Sequence, residues 1–197
     1  MAKRNAHAAL LKSGLAFGLS VASVAWIVTG AIFTDSASID GNAFSTGDVE
    51  IATSPTSQLV TFTNPEMVPG DKVTDDVTVT NAGTVQLRYA VTSVTTEDVL
   101  AGQLDLTIKS GVTACTNGGF AADGVSLYTG DLGSVAGVDL VGDPSQGSQT
   151  GDRTLAASVA EVLCFQVSLP VGTTSSYENL DTTATFAFDA EQVASNP

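Results

Sequence analysis

The sequence VTVTNAGTVQLRYAV at residues 77–91 carries the pattern that decides the fold. Apolar residues occupy every second position at both ends of this stretch, and threonine or another polar or small residue lies between them. A period of two is typical of half-buried β-strands, because successive side chains point to opposite faces of a sheet. Asn81-Ala82-Gly83 in the middle is a turn signal. The stretch therefore predicts two strands separated by a turn.

The same alternation recurs along most of the chain, and no long helical pattern interrupts it. We predict an all-β fold, an antiparallel jelly-roll-like β-sandwich over residues 45–197 that is preceded by an N-terminal signal helix. Gly130 to Gly151 is expected to be a long surface excursion, and Ala156 to Val162 a short helix. The predicted strands contain Val49/Ile51, Val60/Phe62, Val77/Val79, Leu87/Tyr89/Val91, Leu104/Leu106/Ile108, Leu163/Phe165/Val167/Leu169 and Ala184/Phe186/Phe188/Ala190.

The first 31 residues have the three parts of a secretory signal peptide. Basic residues up to Lys12 precede an uncharged run of 22 residues from Ser13 to Thr34, within which Thr29-Gly30-Ala31 supplies small residues. We expect cleavage between Ala31 and Ile32, and a secreted product at the cell surface or in the extracellular space. The alternative is an uncleaved anchor, because a helical run of this length could just span a bilayer.

The charge of the predicted exported part is strongly negative. Residues 32–197 hold four basic and all 21 acidic residues of the chain, a formal charge of −17. Phosphate backbones would be repelled by such a surface, so we expect no nucleic-acid partner. The acidity favours solubility outside the cell, with cation binding as the alternative reading.

The two cysteines, Cys115 and Cys164, both lie in the predicted exported part. An even number of cysteines in an exported chain favours a disulfide. The bond would close a loop of 50 residues and would be worth roughly 4 kcal/mol by the chain-entropy argument. The alternative is two buried free thiols.

Three sequence features in this order resemble the TasA/camelysin family of exported Gram-positive proteins. An aromatic-x-Asp follows the predicted cleavage site, and a Phe-x-x-Gly leads into the first strand. A Pro-Gly-Asp turn precedes the strand at 77–80, and an apolar closing strand ends the pattern. The residues are Phe33-Thr34-Asp35, Phe44-Ser45-Thr46-Gly47, Val68-Pro69-Gly70-Asp71 with residues 77–84, and Leu169-Pro170 with residues 186–192.

This resemblance implies a fold, a processing step and a role. The fold would be a jelly roll, and a dedicated signal peptidase would cut the precursor. The product would be a secreted protein of the biofilm matrix that associates with itself into fibres. Some members of the family have been labelled metallo-endopeptidases. The cysteine pair is absent from the best-known members, so this chain would represent a divergent branch.

The residue types argue against enzymatic chemistry and leave a weak case for calcium. The one histidine, His7, lies in the leader, so the exported part lacks the His ligands and bases of zinc peptidases and catalytic triads. We therefore predict no enzyme and no required cofactor. Carboxylates suit calcium better than zinc, and Asp71, Asp75 and Asp76 cluster around one turn. The alternative is that they are solvated loop acids.

The segment 32–44 is the candidate for assembly. Ile32, Phe33, Ile39 and Phe44 make it apolar in spots, and an extended segment of this kind can complete an open sheet edge of another copy. Contact with the membrane would be made only through the leader before cleavage. The alternatives are that the segment packs on its own domain or is disordered, and that the protein is a calcium- or carbohydrate-binding adhesin.

Overall fold

The structure, a computed structural model, describes residues 38–39, 42–43, 47–55 and 67–194. The predicted signal helix, the cleavage site and the Val60/Phe62 strand lie outside these residues. The chain divides into two compact units, residues 1–46 and 47–197. In the first unit, β1 (Ser38–Ile39) pairs with β2 (Asn42–Ala43) in an antiparallel sheet of two strands.

The second unit is built almost entirely of β-strands. Its one helical element is a 3₁₀ turn at Ser175–Tyr177, within the described range. Every predicted strand that falls in the described residues is confirmed, although Val49, Leu104 and Leu169 lie just outside the observed bounds. The structure adds three strands that the sequence does not predict, at Val125–Asp131, Val138–Val141 and Arg153–Leu155. The strands are β3 (Ile51–Ser54), β4 (Lys72–Asn81), β5 (Leu87–Thr95), β6 (Asp105–Ser110), β7 (Val125–Asp131), β8 (Val138–Val141), β9 (Arg153–Leu155), β10 (Ala160–Ser168) and β11 (Ala184–Gln192).

These strands form two sheets in which all the strand pairs are antiparallel. One sheet has the order β3-β4-β10-β6-β7, and the other has the order β11-β5-β8 with β9 also paired to β5. The chain changes sheet between β4 and β5, β5 and β6, β7 and β8, β9 and β10, and β10 and β11. Repeated crossing between two sheets is the jelly-roll-like winding that the strand pattern predicts, so the all-β fold class is confirmed.

The hydrophobic core lies between the two sheets. Val77, Leu106 and Leu163 from the five-stranded sheet are completely buried, as are Leu87 and Val91 from the other. The rings of Phe165 on β10 and Phe186 on β11 meet edge to face, with their centroids 5.3 Å apart. The neighbours of each of these residues along its strand are polar or face outward. The alternate apolar residues therefore all lie on the inner face of their sheet and form the core.

Two predictions about the second half of the chain are wrong. Residues 156–162 do not form a helix, because β10 begins at Ala160 and the preceding residues turn sharply, with Ser158 at a φ of 60°. The stretch from Gly130 to Gly151 is not a simple excursion either, because it contains the end of β7 and the whole of β8. The pairing of both segments with distant strands outweighs their local composition.

The carboxylate of Glu97 holds the connection between β5 and β6 in its conformation through hydrogen bonds. It accepts hydrogen bonds from the backbone N–H groups of Val99 (2.6 Å), Leu100 (2.9 Å) and Ala101 (3.0 Å). Burial raises the pKa of this carboxyl, but the hydrogen bonds that it accepts lower the pKa more, so the net pKa is below its ordinary value.

The lowered pKa of Glu97 predicts a pH-dependent contribution to stability. Since the folded pKa lies below the unfolded value of about 4.3, the contribution is present above that value and is lost as the pH falls through the folded pKa. Urea unfolding between pH 3 and pH 7 should show Glu97→Gln less stable than the wild type above pH 5. The two curves should converge in acid. Glu178→Gln, which removes an exposed acid, is the control and should run parallel to the wild type; an equal gap for Glu97→Gln at all pH values would contradict this account.

Candidate functional site

The structure does not bring the three candidate calcium ligands together. Asp71 closes the turn before β4, where its Oδ2 accepts the backbone N–H of Val68 at 2.9 Å. Asp75 and Asp76 are successive residues of β4 and so point to opposite faces of the sheet. Asp75 Oδ1 instead accepts the backbone N–H of Asp76 at 2.9 Å. These carboxylates hold local backbone rather than converge on one point.

The acids of the loop after β8 are also engaged in turns. Asp152 accepts the backbone N–H of Asp143 at 3.1 Å through Oδ1 and that of Gln149 at 2.8 Å through Oδ2. Hydrogen bonds from the hydroxyl and the backbone N–H of Ser145 lower the pKa of Asp143. Among the residues that the structure describes, no group of three or more His, Cys, Asp or Glu side chains is placed to hold a metal ion.

The disulfide between Cys115 and Cys164 is confirmed, with the two Cα atoms 5.6 Å apart. Cys164 lies in the middle of β10 between the core residues Leu163 and Phe165, so its side chain points to the outer face of the five-stranded sheet. It is nevertheless only 1% exposed, because the loop 111–124, which carries Cys115, covers it. A disulfide is compatible with an oxidising, extracellular location.

Polar contacts fix the same loop across the outer face of that sheet. The ammonium of Lys109 on β6 donates to the carbonyl oxygens of Phe120 (2.8 Å) and Asp123 (3.2 Å) and lies 4.7 Å from the centroid of the Phe120 ring. The side-chain amide of Asn117 donates to the carbonyl oxygen of Lys72 on β4 at 2.8 Å. The loop therefore spans from β6 over β10 to β4 and closes this part of the sheet face.

A cleft of about 250 Å³ lies on the outer side of the other sheet, between β5, β11 and the loop 143–152. Arg88 on β5 and Glu191 on β11 form an ion pair at 2.5 Å, and Glu191 also accepts the backbone N–H of Gly147 at 3.0 Å. Arg88 is only 6% exposed. Glu191 thus connects the loop to the sheet, and the cleft lies beside this contact.

A partly buried polar cluster links the two sheets. The hydroxyl of Tyr89 on β5 donates to Glu161 Oε1 on β10 at 2.5 Å, and Arg153 contacts both oxygens of Glu161, at 3.2 Å and 2.6 Å. Burial and the neighbouring Glu161 raise the pKa of Tyr89, which keeps its hydroxyl protonated as a donor. The sequence gives no signal for this cluster, because its members meet only through the packing of one sheet on the other.

The predicted assembly residues fall largely outside the described part of the chain. This holds for Ile32, Phe33 and Phe44, and for the predicted cleavage site between Ala31 and Ile32. Ile39 lies in β1, where its backbone pairs with that of Asn42. In the described residues no helix combines the length and the apolar character needed to cross a bilayer.

The most extended open edge in the described structure belongs to β11. Its nine residues pair with β5 in one register without a bulge, from Ala184 opposite Thr95 to Gln192 opposite Leu87. The flanking bonds, from Thr96 N–H to the Thr183 carbonyl and from Val193 N–H to the Gln86 carbonyl, show that odd-numbered residues of this strand bond to β5. Even-numbered residues therefore direct their N–H and C=O groups away from β5, where no other described strand pairs with them.

The comparisons with known proteins do not assign the chain to a family. No family model matches it, and no curated protein matches it. Its strand pattern has a distant likeness to AvmM, described as catalysing macrocyclization in alchivemycin A biosynthesis, with 11% identity over 84% of this chain and 98% of AvmM and a TM-score of 0.34. The sporulation control protein Spo0M from Bacillus subtilis gives 11% identity and a TM-score of 0.27, over 76% of this chain and 49% of Spo0M.

At these TM-scores, neither likeness carries an argument about this chain. The resemblance to the TasA/camelysin family therefore stays a prediction. The case for a function rests on the residues and the strand edges described above.

Proposed function

We propose that this protein is a secreted structural protein of the extracellular matrix or cell surface whose copies assemble into fibres. One observation carries the proposal. In the part of the chain that the structure describes, both sheets of the sandwich are built from residues after Gly47, and β1 and β2 belong to a separate sheet. The described residues of the segment Ile32–Phe44, which are Ser38–Ile39 and Asn42–Ala43, belong to neither sheet of the sandwich. This supports the proposal that the segment is donated to another copy.

Strand donation explains how such a segment would make a polymer. An extended segment adds to an exposed sheet edge through backbone hydrogen bonds, and its apolar side chains fill pockets in the acceptor. The contact is heterologous, and a heterologous repeat that does not close into a ring gives a filament. While the leader is attached, Ile32 would be held at the membrane, so cleavage after Ala31 would permit assembly.

The polar groups of the sandwich support a structural role. The carboxylates of Asp71, Glu97 and Asp152 accept backbone hydrogen bonds that shape loops. The hydroxyl of Tyr89 and the guanidinium of Arg153 are engaged by Glu161. The disulfide and its loop reinforce one sheet. Each of these groups makes contacts that stabilise the fold. A stable fold suits a protein that serves as the repeating unit of a fibre.

The test is to remove residues 32–38 from the protein that begins at Ile32. We expect filaments to disappear from electron micrographs while the melting temperature is unchanged. Replacing Ile32 and Phe33 by serine should have a similar effect, since burying each such side chain is worth about 1.5–3 kcal/mol. Replacing Ser36 and Ser38 by alanine is the matched control and should leave filaments intact. Unchanged filaments after the deletion would refute strand donation, and loss of folding would show that the segment belongs to its own domain.

A further inference from the structure

The open edge of β11 has the geometry to pair with the same edge of a second copy. The outward-directed N–H and C=O groups belong to Ala184, Phe186, Phe188, Ala190 and Gln192. These five residues are spaced evenly about Phe188. An antiparallel pairing with Phe188 opposite Phe188 of a second copy places every outward donor against an outward acceptor, because even residues face even residues throughout.

We infer that two copies associate through β11 across a twofold axis at Phe188, so that one antiparallel sheet runs continuously through both. The association is isologous, since the same strand serves on both sides. It is distinct from the head-to-tail contact of the proposed fibre, and it does not need the segment 32–44. In a fibre, it would join two filaments side by side.

The side chains of the outer face fit this register. With Phe188 on the axis, Asp189 lies opposite Ala187 of the second copy, and Glu191 lies opposite Thr185. No carboxylate therefore faces a carboxylate. A shift of one pleat toward the C-terminus would place Asp189 opposite Asp189, and like charges directly opposite each other destabilise a sheet. The register on Phe188 is also the one in which all nine residues of the strand are paired.

The incomplete burial of the core-facing side chains of β11 also favours a second copy as the partner. On β5, which has strands on both sides, the core-facing residues Leu87, Tyr89 and Val91 are at most 1% exposed. On β11 the core-facing Phe188 and Ala190 are only half-buried, although they belong to the same sheet and contact the same core. Pairing through β11 would place Phe186 opposite Ala190, a large residue against a small one, and would cover the exposed side of both Phe188 rings.

Edge strands that remain single usually carry a device that blocks pairing, such as a lysine, a proline or a bulge. β11 has none of these in its nine residues. Its two acids, Asp189 and Glu191, point to the outer face, and Glu191 is already paired with Arg88. The edge is regular, and in the register on Phe188 both acids face uncharged residues of the other strand, which favours a second copy as its occupant.

The test is the molar mass of the protein that begins at Ile32, measured by light scattering over a range of concentrations, with and without residues 32–38. We expect a dimer from the chain that lacks residues 32–38. From the full chain we expect species no smaller than a dimer, which grow further by strand donation. If the full chain is monomeric, the proposal is wrong. If only the deleted chain is monomeric, the occupant of the edge is the N-terminal segment, and the proposal is again overturned while strand donation stands.

Substitutions at position 187 test the register itself. Ala187 is exposed and would face Asp189 of the second copy twice per dimer, so Ala187→Glu should weaken dimerisation by about two- to thirtyfold, and Ala187→Lys should strengthen it within the same range. Both variants should melt like the wild type as monomers. Ala190→Pro removes one outward N–H without touching the ladder to β5 and should abolish the dimer. Equal dimer affinities for the two Ala187 variants would contradict the register.

Discussion

The double variant Cys115→Ala/Cys164→Ala is expected to lower the free energy of unfolding by about 4 kcal/mol. The disulfide joins residues separated by 49 positions, and opening a loop of this size restores that much conformational entropy to the unfolded chain. For a domain of this size the loss corresponds to a fall in melting temperature of roughly 8–16 °C. Urea unfolding and thermal melting measure the two quantities independently.

The wild type in reducing buffer is the control for this variant. It should unfold with nearly the same free energy as the double variant, because both lack the cross-link. Any remaining difference measures the loss of the two sulfur atoms. The loop 111–124 should also become sensitive to proteases in both samples. Equal stability of oxidised and reduced protein would contradict the prediction, as would two free thiols per chain in the denatured, unreduced protein.

Replacing Asn81 by alanine is expected to cost about 3 kcal/mol. Asn81 ends β4 and is completely buried. Its amide donates to the carbonyl oxygens of Val85 (2.8 Å) and Leu155 (3.1 Å), and its Oδ1 accepts the backbone N–H of Gly83 at 3.0 Å. Truncation leaves these backbone groups without their partner in the interior, where an unsatisfied group costs most. The residue thus ties the β4–β5 turn to β9.

Two companion variants make the result for Asn81 specific. Asn81→Asp keeps the shape but loses both donors and buries a carboxylate, so it should be at least as damaging as alanine. Thr78→Ala changes a half-buried residue of the same strand and should cost well under 1 kcal/mol. Comparable losses for Thr78→Ala and Asn81→Ala would show that the strand, rather than the hydrogen bonds of Asn81, is sensitive to substitution.

The sequence predicts strands well wherever alternation runs over five or more residues, as in β5, β10 and β11. It does not predict β7, β8 and β9. β8 and β9 have only four and three residues, and β7 is a largely exposed edge strand in which only Val125 and Leu127 alternate as apolar residues. The helix predicted at 156–162 follows from local composition, which the pairing of β10 with β4 and β6 overrides. Helix propensity is a weak prior that tertiary context often reverses.

The candidate sites divide along the same line. The disulfide can be predicted, because it needs only a count of cysteines and an exported context. The Tyr89–Glu161–Arg153 cluster cannot, because it depends on how two sheets are placed over each other. The position of β11 at an edge is equally inaccessible, since the order of strands in a sheet is set by contacts between residues far apart in the chain.

The cross-link between Cys115 and Cys164 also decides how the molecule would respond to tension. Any pull transmitted from the N-terminal side to the C-terminal side passes through the covalent bond rather than through residues 116–163. Those 49 steps of chain would extend by about 165 Å if they were free to unravel. The bond prevents that length from extending, so a stretched unit can yield only through the residues before Cys115, which include β3 to β6, and through those after Cys164, which include the end of β10 and the whole of β11. A filament of such units would extend less under a given tension than one built from units without the cross-link.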